Sequence, residues 1–167
     1  MKSNLAGVFL GKSFYNELNT LIDLSRIILK DNGNALSPRS YCKNLLDNQV
    51  DIGFYENATL IFINDIRHIY PLQLSRLGQV FKFALSDTSM NYVFEYYLDG
   101  TCKWDEYISQ DENGEMKSRG SNVVKFQNKD ITTQLFPSMI RQLFKFDLDL
   151  AFSTNFTRYS FEYDFSK

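Results

Sequence analysis

One histidine, two cysteines, one tryptophan and three prolines are all that 167 residues hold of these types. With His68 alone, the chain has no multi-histidine metal site and no second imidazole to shuttle protons. Cys42 and Cys102 lie far apart, so two buried thiols in a reducing cytosol are expected rather than a disulfide staple. The formal net charge of −2 supplies no global positive field for nucleic acid. No apolar run reaches the roughly 18 residues of a membrane span, and the opening MKSNLAGVFLGKS has no apolar core of signal-peptide length. A cytoplasmic location away from membranes is the expectation, and the sequons at Asn57 and Asn155 carry no weight without a secretory route.

What the chain has in excess is phenylalanine and tyrosine, 15 and 10 of them. These residues suit pleated, half-buried surfaces, and those left exposed often anchor partners. An apolar share of 44% is that of a globular protein, and the length suits one domain, residues 1–167. Charge is segregated along the sequence. Asp87 to Glu115 holds eight acids and one base, a net of −7, whereas Met116 to Lys145 holds six bases and one acid, a net of +5. Neighbouring strands of one sheet would thus present a dipolar surface.

Hydrophobic spacing predicts a first helix from Phe14 to about Lys30, capped by Ser13 and stopped by Asp31-Asn32-Gly33. A second helix is expected from Ser37 as cap, with Pro38 at its first position, to about Asn48. Ala58 to Asn64 is a continuous apolar run, the pattern of a strand covered on both faces. Pro71 to Leu77 reads as a short helical connection ended by Gly78. Val80 to Ser86 puts Phe81, Phe83 and Leu85 on one face. Tyr92 to Leu98 and Thr101 to Ser109 flank Asp99-Gly100, a type I′ hairpin signal, and Asn113-Gly114 marks another tight turn. Ile131 to Leu143 reads as helix, weakened in its first half or started by Pro137. Phe144 to Phe152 and Thr157 to Phe165 alternate with period two and suggest a closing hairpin around Ser153-Thr154-Asn155. The class is α+β: a mainly antiparallel twisted sheet of five or more strands, with two or three helices packed on it.

No catalytic or metal-binding constellation emerges, and no cofactor is implied. Gly11-Lys12-Ser13 imitates the end of a phosphate-binding loop, and Leu60 to Asp65 the strand whose acid would hold Mg²⁺. Ala6 stands where the first glycine is needed, however, and Val8, Phe9 and Leu10 would fill the loop. The acid also sits one residue late. Neither cysteine flank resembles a nucleophile turn that would pair with His68. Asp147 and Asp149 look like paired carboxylates but fall on the solvent side of an alternating strand.

The hairpin region is the candidate site. Asp99, Asp105, Glu106, Asp111, Glu112 and Glu115 accompany Tyr97, Trp104 and Tyr107, and together they read as an acidic, aromatic-anchored surface for a basic protein partner. The same stretch carries a resemblance. Thr59 to Asp65 is followed by Leu74-Ser-Arg-Leu-Gly78, Val80 to Asp87, and the Tyr92 to Gly100 strand and turn. A strand bearing Trp104, then Asp111-Glu-Asn-Gly114 and Gly120, complete it. Over residues 59 to 120 this order resembles immunity proteins of bacterial polymorphic-toxin systems, including contact-dependent growth inhibition. Such proteins are cytoplasmic, bind one cognate toxin domain tightly, and block its active site or its access to substrate. The family shares no functional residues, so the resemblance assigns no roles. It implies neutralisation of a toxin, a nuclease being one option, with no nucleic acid or membrane as partner. A small enzyme, nucleotide-dependent or otherwise, and a scaffold or adaptor are the alternatives.

Overall fold

The computed structural model describes residues 4–37, 40–121, 130–153 and 155–166. Its strands are β1 (Asn4–Leu10), β2 (Ile27–Leu29), β3 (Asn34–Ala35), β4 (Gln49–Phe54), β5 (Thr59–Ile63), β6 (Val80–Ser86), β7 (Asn91–Leu98), β8 (Thr101–Gln110), β9 (Met116–Gly120) and β10 (Thr157–Tyr163). The helical segments are α1 (Leu18–Ser25), α2 (Pro71–Leu74), α3 (Phe136–Phe144) and α4 (Leu148–Phe152). All ten strands join one open sheet in the order β2-β10-β4-β5-β1-β6-β7-β8-β9, with β3 also paired to β10. Every pairing is antiparallel. The fold is α+β.

The centre of the sheet is apolar on both sides, and that decides the layering. Thr59–Ile63 is buried at every position, as its unbroken apolar run requires. On one face, Phe9, Phe62, Phe81, Phe83, Phe94 and Phe156 pack under α3 and α4. The Phe83 ring lies 4.6 Å from that of Phe136, and Tyr41 stacks on Phe152 at 4.8 Å. The opposite face is aliphatic. Val8, Leu10, Val50, Ile52, Ile61 and Ile63 meet Leu21 of α1 and Leu74 of α2. Burying each such side chain contributes about 1.5–3 kcal/mol, so two covered faces supply the main stabilisation.

Several expected elements differ. The chain opens with β1, which pairs with both β5 and β6. Val8, Phe9 and Leu10 are therefore buried strand residues, not a loop. The helix expected over Phe14–Lys30 is confined to Leu18–Ser25. Arg26 takes a left-handed conformation (φ 53°) and stops it, and Ile27–Leu29 are drawn into pairing with β10. Ser13 caps nothing, since the helix starts at Leu18.

No helix forms over residues 40–48, where Cys42 and Asn44 both have positive φ. Ser37 meets the Ser40 hydroxyl at 3.2 Å, and Pro38 lies outside the described residues. The segment is instead pinned by Asp51, which accepts from the Cys42 N–H at 2.8 Å.

The alternation from Phe144 to Phe152 is not a strand. Lys145 (φ 56°) ends α3, and Asp147 accepts from the Asp149 N–H at 3.0 Å, starting α4. Burial of Leu148 and Ala151 on the phenylalanine face favours helix over strand there. No hairpin closes around residues 153–155, of which Thr154 lies outside the described residues. β10 instead reaches back to β2, β3 and β4.

Other expectations hold. α2 fills the expected connection, and β6 places Phe81, Phe83 and Leu85 together in the core. Asp99 and Gly100 have φ of 52° and 72°, as a type I′ turn requires. The second turn differs in type. Only Gly114 is left-handed (φ 81°), while the Gly114 N–H bonds the Asp111 carbonyl at 3.0 Å, the pattern of a type I turn closed by a glycine bulge. Pro137 sits in the first turn of α3, behind a π-helical turn over Ile131–Leu135.

Candidate protein-binding face

The meander β6-β7-β8-β9 forms the outer half of the sheet, and strand parity sorts its side chains. Tyr92, Phe94, Tyr96 and Ile108 point to the phenylalanine core. Glu106 and Trp104, at even spacing from Ile108, share that side. Glu106 is fully buried, and one of its oxygens takes the Ser118 hydroxyl while the other has no partner among the described residues. Trp104 packs 5.8 Å from both Phe81 and Tyr96. Two of the expected interface residues thus belong to the core side of the sheet.

Asp105 and Tyr107 project to the other side, with Lys82, Val93, Glu95 and Tyr97. No helix of the described residues packs over this area, and α2 reaches only its near edge, beside β6 and β7. Glu95 is the hub. It stands between Lys82 and Asp105 in cross-strand register. Its carboxylate accepts the Tyr97 hydroxyl at 2.7 Å and the Tyr107 hydroxyl at 3.2 Å, with the Lys82 ammonium 3.2 Å away. Two carboxylates directly opposite one another on neighbouring strands repel. The two phenols and Lys82 offset that repulsion at Glu95, while Asp105 turns to Ser121, accepting from its N–H at 3.0 Å. Those Ser121 hydrogen bonds lower the Asp105 pKa. Burial and the hydrogen bond to Glu95 raise the Tyr97 phenol, and burial and the Glu95 charge raise that of Tyr107. Both phenols stay protonated as donors, so their rings are held in place.

The remaining acids sit at the ends of the hairpins. Asp99 occupies the β7–β8 turn, and Asp111, Glu112 and Glu115 lie at the β8–β9 turn. β8 has ten residues, which puts these two turns roughly 30 Å apart. The −7 segment is also locally balanced. Lys117 pairs with Asp111 at 2.5 Å, and the Arg119 guanidinium lies 5.9 Å from the Tyr107 ring centre. The expected dipole between neighbouring strands becomes an interleaved surface, with Lys82, Lys117 and Arg119 set among the acids. Lys125 and Lys129 of the basic segment lie outside the described residues.

Sequence reading passed over Glu95 and Lys82, although it had singled out Tyr97. The signal was present: charged residues in the middle of strands whose alternate positions are phenylalanine mark the less covered face.

Lys12 is paired with Glu17 at 2.8 Å and does not head a phosphate cradle. Both cysteines are free, and Cys102 is exposed rather than buried as expected. Burial raises each thiol, with Asp51 adding to the effect at Cys42 and Asp105 at Cys102, the reverse of an activated nucleophile. His68 falls in a 3₁₀ turn, Ile66–His68, between β5 and α2. Asp147 is a helix cap whose carboxylate lies 3.9 Å from Arg141. Among the described residues no group of three or more His, Cys, Asp or Glu side chains gathers to hold a metal. No helix among them is long and apolar enough to cross a membrane. Comparison with known proteins assigns no family: no family model matches the chain, and no curated protein or solved structure was found to be similar to it.

Proposed function

We propose that this chain is an immunity-type binding protein that holds one cognate toxin domain in the cytoplasm and neutralises it by occupying its surface, with no chemistry of its own. The observation that supports this reading most is the Glu95-centred face. Tyr97 and Tyr107 are large amphipathic side chains already fixed by a shared carboxylate, so a partner docking there loses little further side-chain entropy. Asp105 beside them and the acids of the two turns form a charged rim that steers association with a basic surface. A nuclease toxin has such a surface, because its cleft must hold phosphates.

The experiment is co-expression with the product of the gene immediately upstream, followed by co-purification and association kinetics. A variant with Tyr107→Ala and Asp99, Asp105, Glu112 and Glu115 changed to Lys should lose protection of cells while keeping the native circular dichroism spectrum. The wild-type on-rate should fall steeply with salt. A folded variant that binds and protects as well as wild type would place the interface elsewhere.

A further inference from the structure

A cleft of about 460 Å³ opens between residues 13–17 and the turn joining β4 to β5. Tyr15 stands on one side of it, 71% exposed, which leaves ring surface open to solvent. It meets Phe54 edge to face, with ring centres 5.8 Å apart and planes at 80°. Single exposed aromatics are common and need no explanation. This one differs because it lines the same cleft as two glutamates and an amide, Glu17, Glu56 and Asn16, with no lysine or arginine in the lining. Lys12 engages Glu17 from outside at 2.8 Å. Glu56 is exposed and has no hydrogen bond or ion pair among the described residues.

We propose that this cleft takes a guanidinium group, the planar cation of an arginine side chain, stacked on Tyr15 and held by the Glu56 carboxylate. An aromatic face attracts a cation through its quadrupole, and the attraction is greatest for groups that desolvate readily. Guanidinium is flat, weakly hydrated and able to give two parallel hydrogen bonds to one carboxylate. Two rings set edge to face make a platform for such a plane. They do not make the enclosed aromatic box that a methylated ammonium requires. The site is independent of the Glu95-centred face, so each stands or falls alone.

The test is a titration of the isotopically labelled full chain with Nα-acetylarginine methylamide, read on the Phe54 ring and the Glu56 backbone amide. Saturable shifts are expected. The citrulline analogue, neutral and nearly isosteric, and tetramethylammonium should give none that saturate. Tyr15→Ala and Glu56→Gln should each weaken binding about threefold or more, whereas Tyr15→Phe, which keeps the ring face, should bind like wild type. Both sites are exposed, so circular dichroism should show native folds. If Tyr15→Ala does not fold, Glu56→Gln and Tyr15→Phe decide the matter. Shifts that stay linear in ligand overturn the proposal, as do equal responses to citrulline or tetramethylammonium, or affinity unchanged by Glu56→Gln or by a folded Tyr15→Ala.

Discussion

Arg158 of β10 grips Asp51 of β4 with two nearly parallel hydrogen bonds, 2.6 Å from Nε to one carboxylate oxygen and 2.8 Å from a terminal nitrogen to the other. Asp51 is fully buried, and Arg158 is only 16% exposed at its side chain. The same terminal nitrogen also donates to the Lys43 carbonyl, at 3.1 Å, so the same pair docks the 40–48 segment over the sheet. Bidentate geometry of this kind is what compensates the desolvation of both ions.

Arg158→Met should therefore be costly, since it leaves a buried carboxylate with no cation. The expected loss is about 3–5 kcal/mol in urea unfolding. The double variant Asp51→Asn with Arg158→Met should lose less than the two single losses combined, as groups that act as a pair do. Strict additivity would mean that the pair contributes nothing beyond packing.

At the β7–β8 turn, Gly100→Val places a β-branched residue at φ 72°, a conformation that such side chains resist. A destabilisation of about 1 kcal/mol or more is expected. Gly114→Val should cost a similar amount at the β8–β9 turn. Asn113→Ala should cost less than either, because φ is not positive there. Thermal melts of the three variants decide the order, and equal losses at Asn113 and Gly114 would contradict the turn geometry.

Glu106 offers a pH test. Burial raises its pKa, with the Asp105 charge adding to the effect. The folded protein thus binds this proton more tightly than the unfolded chain does. Stability from this group is complete below the unfolded pKa and is lost as pH rises through the raised folded value. Glu106→Gln removes the loss, so it should gain on wild type as pH rises through that window and level off above it. A gain on the order of 1 kcal/mol at neutral pH is expected from relieving a buried, half-satisfied carboxylate. Taking the difference between variant and wild type cancels Asp111, whose lowered pKa acts in the acid direction. A flat difference across pH would show that Glu106 is ordinarily solvated.

The phenols can be counted by alkaline titration. Tyr92 is pushed up to about 12 by burial and by its hydrogen bond to Asp87. Tyr97 and Tyr107 are raised as well. Ultraviolet absorbance should show these tyrosines ionising late, above the ordinary tyrosine value. Each raised phenol loses its stabilising contribution above about pH 10, the ordinary tyrosine value, so the late step should accompany unfolding. Glu95→Gln should bring Tyr107 down toward the ordinary range. An unchanged late step in that variant would disconnect the carboxylate from the phenols.

Local signals alone determined much of this protein. The unbroken run Thr59–Ile63 specified a strand covered on both faces, Phe81, Phe83 and Leu85 specified one side of β6, and Asp99-Gly100 specified its turn. Each depends only on neighbours a few residues away. Parity within β8 was legible too: Trp104 and Tyr107, three apart in a strand, must face opposite ways. Which of those sides carries helices was not. That depended on Phe136 and Met139, far along the chain, packing on Phe94 and its neighbours. Tertiary structure also decided the segments whose pattern suits two states. Ile27–Leu29 left a helical pattern because β10 had an open edge, and Leu148–Phe152 left a strand pattern because Asp147 capped a turn above an aromatic face. Periodicity records which residues share a side. It does not record what covers that side, nor a partner 107 residues away such as Arg158 for Asp51, because those follow from burying two sheet faces at once.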